Sequence, residues 1–319
     1  MTFFKSKKIQ SLIIAIIVLV VSIWLFQNNY LKLLVFQKKI DQSSSTNLMD
    51  KEIAYLEKID NFIIKEYSEK LILLRTIKAE TYYSYKNSPI QLLNVEVKTF
   101  NESGQEGIVL KSNQAEMLES RVISFNGEVN IKTKSGISHE LDTESLIVFS
   151  NNGKIKSNKK ITYLGENSKI NAQEMEMDID SNTMFLKGEV QILQTSDTRV
   201  DTTDLYISHT NGQKKYNSKG KTSFQSTGNR VNSEKGFDMD ANQNLMNFLG
   251  QVEILNPSSG SKIKTSNLVV DRSNGGEFFK SNEPSHFQSG NSEIKSKQMY
   301  YDAASKRLEL TGKVFAVYE

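Results

Sequence analysis

A chain of 319 residues with 40 basic and 37 acidic side chains carries a formal charge of +3, too small and too evenly spread to build the field that nucleic-acid binding requires. It has no cysteine, which excludes disulfides and thiolate metal sites and leaves the cellular compartment to be read from elsewhere in the chain.

The N-terminus supplies that reading. Ile9 to Phe26, "IQSLIIAIIVLVVSIWLF", is eighteen residues without a charge. As a helix it runs ~27 Å, close to the ~30 Å hydrocarbon core of a bilayer. Trp24, Leu25 and Phe26 follow the apolar core where a cleaved signal peptide would place small residues, so the segment reads as an uncleaved signal anchor. Lys5, Lys7 and Lys8 before it are nearly balanced by Lys32, Lys38 and Lys39 after it, and charge leaves the orientation open. Trp24 and Tyr30 suit the far interface, which fits a short cytoplasmic tail (1–8), the anchor (9–26) and export of the remainder. Residues 27–57 read as a linker, Ser-rich over 40–50. The stretch "DKEIAYLEKIDNF" (50–62) admits a short helix, although its second half also suits the start of a first strand.

From residue 58 onward two-residue alternation replaces any helical period, as in Val95/Val97, Val129/Ile131, Met175/Met177 and Val252/Ile254. One phrase recurs: "FNGEV" (125–129), "LKGEV" (186–190), "FLGQV" (248–252) and "LTGKV" (310–314), at intervals of 61, 62 and 62 residues. Turn signals recur in phase with it. Asn152-Gly153, Asn211-Gly212 and Asn274-Gly275 mark hairpins, and polar turns at 165–168, 180–183 and 195–198 repeat about 62 residues later. Four turns per unit mean four antiparallel strands, and the chain reads as about four stacked units of ~62 residues held by nearest-neighbour contacts.

Within "FNGEV", Phe125, Gly127 and Val129 share one parity and therefore one face. Gly127, Gly188, Gly250 and Gly312 then form a column without side chains on the apolar face. Two readings stay open: the glycines permit a bulge where the sheet bends, or they leave room for a guest. The apolar face itself, rich in Met at 117, 175, 177, 184, 239, 246 and 299, suits either a closed sandwich core or a surface that repacks around variable guests.

Catalytic patterns are missing from the sequence. His139, His209 and His286 occupy inequivalent repeat positions, and there is no HExxH, GxSxG or GxxxxGK[ST] pattern. Asp178, Asp240 and Asp302 align at turn starts and read as structural. The run "KIKSNKK" (154–160) reads as a solvated strand and turn, with contact of Lys159 and Lys160 to lipid phosphates as the alternative. No cofactor or metal is expected.

The anchor, the linker, "FIIKEYSEKLILLRTIKAETYY" (62–83), "LLNVEVKTFNESGQEGIVLKSNQAEM" (92–117), "FNGEVNIKT", the segment 141–178 and "LKGEVQIL" together resemble the LptC family of lipopolysaccharide export. The resemblance spans residues 1–193. Residues 58–193 would be the LptC-like domain, and 194–319 look like two further LptA/OstA-like units. The resemblance implies an all-β fold, an elongated, twisted, V-shaped antiparallel β-jellyroll preceded by one transmembrane helix. It implies an inner-membrane protein with its bulk in the periplasm, accepting lipopolysaccharide from an ABC transporter through LptF/LptG-like membrane subunits. An LptA-like partner would pair with the C-terminal edge strand, since "LTGKVFAVYE" shows no cap after its last strand. Candidate groove residues, by parity, are Val95, Val97, Met117, Phe125, Val129, Ile131, Val148, Met177, Leu186, Val190, Phe248 and Val252, with the groove bend at Gly127, Gly188, Gly250 and Gly312. Physics favours such a conduit: each buried CH₂ is worth ~0.8 kcal/mol, so an acyl chain of about a dozen would lose on the order of 10 kcal/mol on entering water. The rival reading is a membrane-tethered β-repeat scaffold or adhesin with a closed core that binds proteins only.

Overall fold

The computed structural model describes residues 55–318 apart from 120–121, 135–138, 150–151, 166–167, 179–180, 195–196, 211 and 227. The expected tail and anchor, and the linker up to residue 54, lie outside them. All regular structure among the described residues is β, in 23 strands whose pairings are antiparallel. Of the stretch 50–62, residues 50–54 lie outside the described residues, and from Glu57 it is strand, paired with the following strand from the Glu57/Ser84 pair onward.

Two compact units divide at residues 157 and 158. The first contains β1 (Glu57–Tyr67), β2 (Leu73–Ser84), β3 (Ile90–Phe100), β4 (Glu106–Glu119), β5 (Val122–Thr133), β6 (Glu140–Phe149) and β7 (Lys154–Ser157). Successive strands pair, in the order of the chain. Leu110 lies between Val97 and Ile131 across β3, β4 and β5, and Phe125 lies between Ala115 and Leu146 across β4, β5 and β6. Alternation thus places one apolar residue beside another on a single buried face.

The second unit contains β8 (Ile161–Leu164), β9 (Ser168–Asp178), β10 (Thr183–Gln194), β11 (Arg199–Thr210), β12 (Gln213–Ser218), β13 (Thr222–Ser226), β14 (Asn229–Ser233), β15 (Phe237–Asp240) and β16 (Leu245–Asn256). It continues with β17 (Ser261–Asp271), β18 (Phe278–Ser281), β19 (Ser285–Ser289), β20 (Ser292–Ser296), β21 (Gln298–Asp302), β22 (Arg307–Thr311) and β23 (Phe315–Val317). Its long strands each serve two layers. The first part of β11 pairs with β13, its second part with β12. β12 continues through β15 to the start of β16, while β13 continues through β14 to the end of β16. Strand β17 divides in the same way between β19 and β18. The two layers enclose the core. Phe224 of one meets Phe248 of the other with ring centroids 5.6 Å apart.

Each long strand crosses from layer to layer at a bulge. Gly127 and Glu128 lie opposite the single residue Glu144, Lys187 and Gly188 opposite Asp204, and Leu249 and Gly250 opposite Asn267. The φ angles of Gly127, Gly188 and Gly250 are 72°, 73° and 71°, which glycine adopts without steric cost.

The bulge changes the parity expected from sequence. Phe125 and Val129 both face the core, but a Cβ added at Gly127 would meet the exposed side chain of Asn113 at 2.9 Å, on the outer surface. Lys235 stands in the same relation to Gly250 at 2.8 Å and Lys297 to Gly312 at 3.1 Å, and Gln173 crowds Gly188 more closely still. The space left by the missing side chains is therefore outside the core and already filled by polar neighbours. It is not a gap in the apolar face.

Candidate functional site

The apolar interior is the candidate site, and its walls come from the alternating strands. In the first unit Val95, Val97, Phe125, Val129, Ile131 and Val148 are all buried, and Met117 is half-buried beside Ile123. In the second, Met177, Leu186, Val190, Phe248 and Val252 are buried. Register brings neighbours together: Leu186 lies between Met175 and Leu205, Val190 between Ala172 and Thr202, and Phe248 between Phe237 and Leu268. These side chains pack against one another, with Phe248 and Leu205 at 0% exposure. The space between the layers is filled in this structure by the chain's own side chains.

Sequence reading passed over a second repeated feature, a knot of buried hydroxyls at each place where the chain changes layer. Thr202 Oγ1 lies 2.7 Å from both Ser218 Oγ, at the end of β12, and Thr222 Oγ1, at the start of β13. Thr265 Oγ1 lies 2.9 Å from Ser281 Oγ and 3.0 Å from Ser285 Oγ, the matching ends of β18 and β19. Thr143 Oγ1 and Ser157 Oγ repeat the pair at 2.9 Å. The hydroxyls also reach backbone, Ser218 donating to Thr203 O at 2.7 Å and Ser281 to Ser266 O at 2.8 Å. Buried polar groups persist only where they are paired, and here the pairing pins the strand switch. The available signal was the repeat spacing of Thr143, Thr202 and Thr265; alternation alone makes such residues look like ordinary polar strand positions.

The second unit carries a cavity of about 1440 Å³ whose lining mixes polar side chains with Ala172 and the candidate groove residues Val190 and Val252. Asn171, Gln191, Asp201, Ser223, Asn232 and Glu253 cross it in register from strand to strand. Asn171 donates to Gln191 at 3.4 Å and Gln191 to Asp201 at 3.1 Å. Lys160 also lines this cavity.

The aligned aspartates act on backbone. Asp178 accepts from Ser181 N at 3.0 Å, Asp240 from Asn242 N at 2.9 Å and Asp302 from Ala304 N at 3.0 Å, so each holds a turn. Among the described residues no group of His, Cys, Asp and Glu is arranged to hold a metal ion.

A family model described as "Lipopolysaccharide-assembly, LptC-related" matches residues 12–196 and 225–319. The chain belongs to the LptC family. Membership brings with it a role in lipopolysaccharide transport. The match takes in residues 225–319, beyond the 1–193 that carried the resemblance, so the later repeats conform to the LptC pattern as well. No curated protein matches the chain.

Proposed function

We propose that this member of the family is an inner-membrane-anchored periplasmic component of lipopolysaccharide export. It accepts the lipid from an ABC transporter, through LptF/LptG-like subunits that its anchor and first strands engage, and passes it between the sheet layers towards an LptA-like bridge and the outer membrane. The observation that carries this reading is the apolar wall repeated in register along β9, β10, β11, β16 and β17, in a chain of the LptC family. Successive repeats present chemically similar positions, so an acyl chain meets little difference in energy from one to the next. The chain supplies a path and no chemistry; the energy enters at the transporter.

The C-terminal edge fits a partner strand. Val314, Phe315, Val317 and Tyr318 are exposed, and β23 pairs only with β20 among the described strands. An apolar strand with one free side is a template for addition of another.

Photo-crosslinking residues at Phe125, Leu186 and Phe248 test the conduit. It requires lipopolysaccharide adducts that increase while the transporter hydrolyses ATP. The complete burial of Phe248 favours a second reading, a tethered scaffold with a dry core, and that reading requires no adduct at any of the three positions in the folded protein.

A further inference from the structure

The two layers of the second unit are joined along the bulge line and come together again at the turns on the opposite side. Arg272 stands at that opposite seam. It belongs to the turn between β17 and β18, in the layer of β12, β15 and β18, and its amide donates to Asn244 O of the neighbouring turn in the same layer at 3.0 Å. Its Nε donates to Glu277 of its own turn at 2.7 Å. Its Nη2 reaches across to the other layer, donating to Thr198 Oγ1 at 3.4 Å and to Ser226 Oγ, residues that lie 74 and 46 positions away in sequence. The guanidinium lies 5.2 Å over the ring of Phe224, whose other neighbour is Phe248 of the core. Outside the seam is solvent; immediately inside it is the apolar interior.

We propose that Arg272 is a latch on a lateral opening of the second unit, and that release of its bonds to Thr198 and Ser226 admits an acyl chain between the layers. The geometry separates two functions of one side chain. Glu277, itself buried, neutralises the guanidinium within its own layer whether the seam is shut or open. The hydroxyl contacts and the stack on Phe224 are what Arg272 itself contributes across the lips. Hydroxyls are weak enough partners to exchange for water, and a charged partner on the far lip would not be. Opening then leaves a neutral ion pair at the rim and uncovers Phe224 as the first apolar surface for the chain to meet.

The acyl-chain assignment rests on the conduit reading, whereas the latch stands on its own geometry. The natural chain has no cysteine, so a single Val231→Cys reports on the seam, being fully buried opposite Phe224 on β14. Leu205→Cys, equally buried in the other layer between Leu186 and Ser218, is the control. In the full chain, Thr198→Val with Ser226→Ala removes the far-lip bonds and keeps the Arg272–Glu277 pair. The expected result is maleimide labelling at Val231→Cys accelerated at least about tenfold, the least that losing the two far-lip hydrogen bonds should give, with labelling at Leu205→Cys unchanged. Arg272→Lys, which keeps the charge without the fork, is expected to accelerate the same position. No acceleration, or equal acceleration at both positions, overturns the latch. Loading of 11-(dansylamino)undecanoic acid, followed by its emission, is expected to quicken in the same variants. Faster labelling without faster loading overturns the acyl-chain assignment, and the crosslinking experiment judges the conduit separately.

Discussion

The amide of Gly188 donates to the carboxylate of Asp204 at 2.8 Å, directly across the bulge where β10 and β11 change layer. Gly250 and the side chain of Asn267 repeat the bond at 3.1 Å one unit later. Asp204 and Asn267 both take φ near +50°, a region that Asn and Asp tolerate better than other side chains. At these two bulges the bend is thus built from a glycine on one strand and an Asx residue on the next, whereas Gly127 faces Glu144 at the first.

Gly188→Ala is accordingly expected to be costly. It strains a positive φ and drives a methyl group into Gln173, for a loss of about 1–3 kcal/mol. Gly212→Ala shares the positive φ but meets nothing within 4 Å, and should lose only about 1 kcal/mol. Urea unfolding of the two variants side by side measures the difference.

Thr202→Val tests the hydroxyl knot. It removes the hydroxyl that Ser218 and Thr222 share, while Ser218 keeps Thr203 O and Thr222 keeps Gly220 O, and a loss of about 0.5–1.5 kcal/mol follows. Thr202→Ser keeps the hydroxyl and should recover most of it. Equal losses for Val and Ser would assign the effect to packing of the threonine methyl instead.

Arg75 is buried to 2% exposure and bonded to Glu66 at 2.5 Å, where β1 meets β2. Burial pushes the guanidinium pKa down and Glu66 pushes it back up. Arg75→Ala removes one partner and the packing of the long stem, and is expected to cost about 3–5 kcal/mol. Arg75→Met combined with Glu66→Leu removes both charges and should lie well above the single variant in chemical denaturation.

Asp271 gives the acid limb of the stability profile a specific group. Hydrogen bonds from Lys280 and Ser273 lower its pKa from 3.8 to about 2. A carboxylate lowered on folding contributes stability that is complete above its unfolded pKa, near pH 4, and is lost as pH falls towards 2. Asp271→Asn should flatten that part of the profile and leave the slope above pH 5 unchanged. Melting temperatures taken from pH 2 to 6 decide it.

Much of the fold was legible because its determinants are short-range. Alternation at Val129/Ile131 or Met175/Met177 states which residues face one way, and the glycines and Asn-Gly pairs state where strands end or bend. The parity of the glycines themselves was not legible: two residues facing one across a bulge cancel the simple alternation, and only the pairing partner reveals the bulge. The hydroxyl knots stood in the sequence as a repeat spacing, but their burial depends on strands that part and rejoin.

The sequence by itself determined that the chain from residue 58 is β and that its turn signals and one glycine phrase recur about every 62 residues, since both follow from local periodicity and recurring phrases; the resemblance to a lipopolysaccharide-export family rests on the quoted segments. Only the tertiary structure decided that one strand serves two layers, that Val190 and Val252 line a cavity together with a ladder of polar side chains, and that Arg272 reaches Thr198 and Ser226. Those depend on pairing and closure across 46 and 74 residues, and a pattern of two-residue period carries no information over such distances.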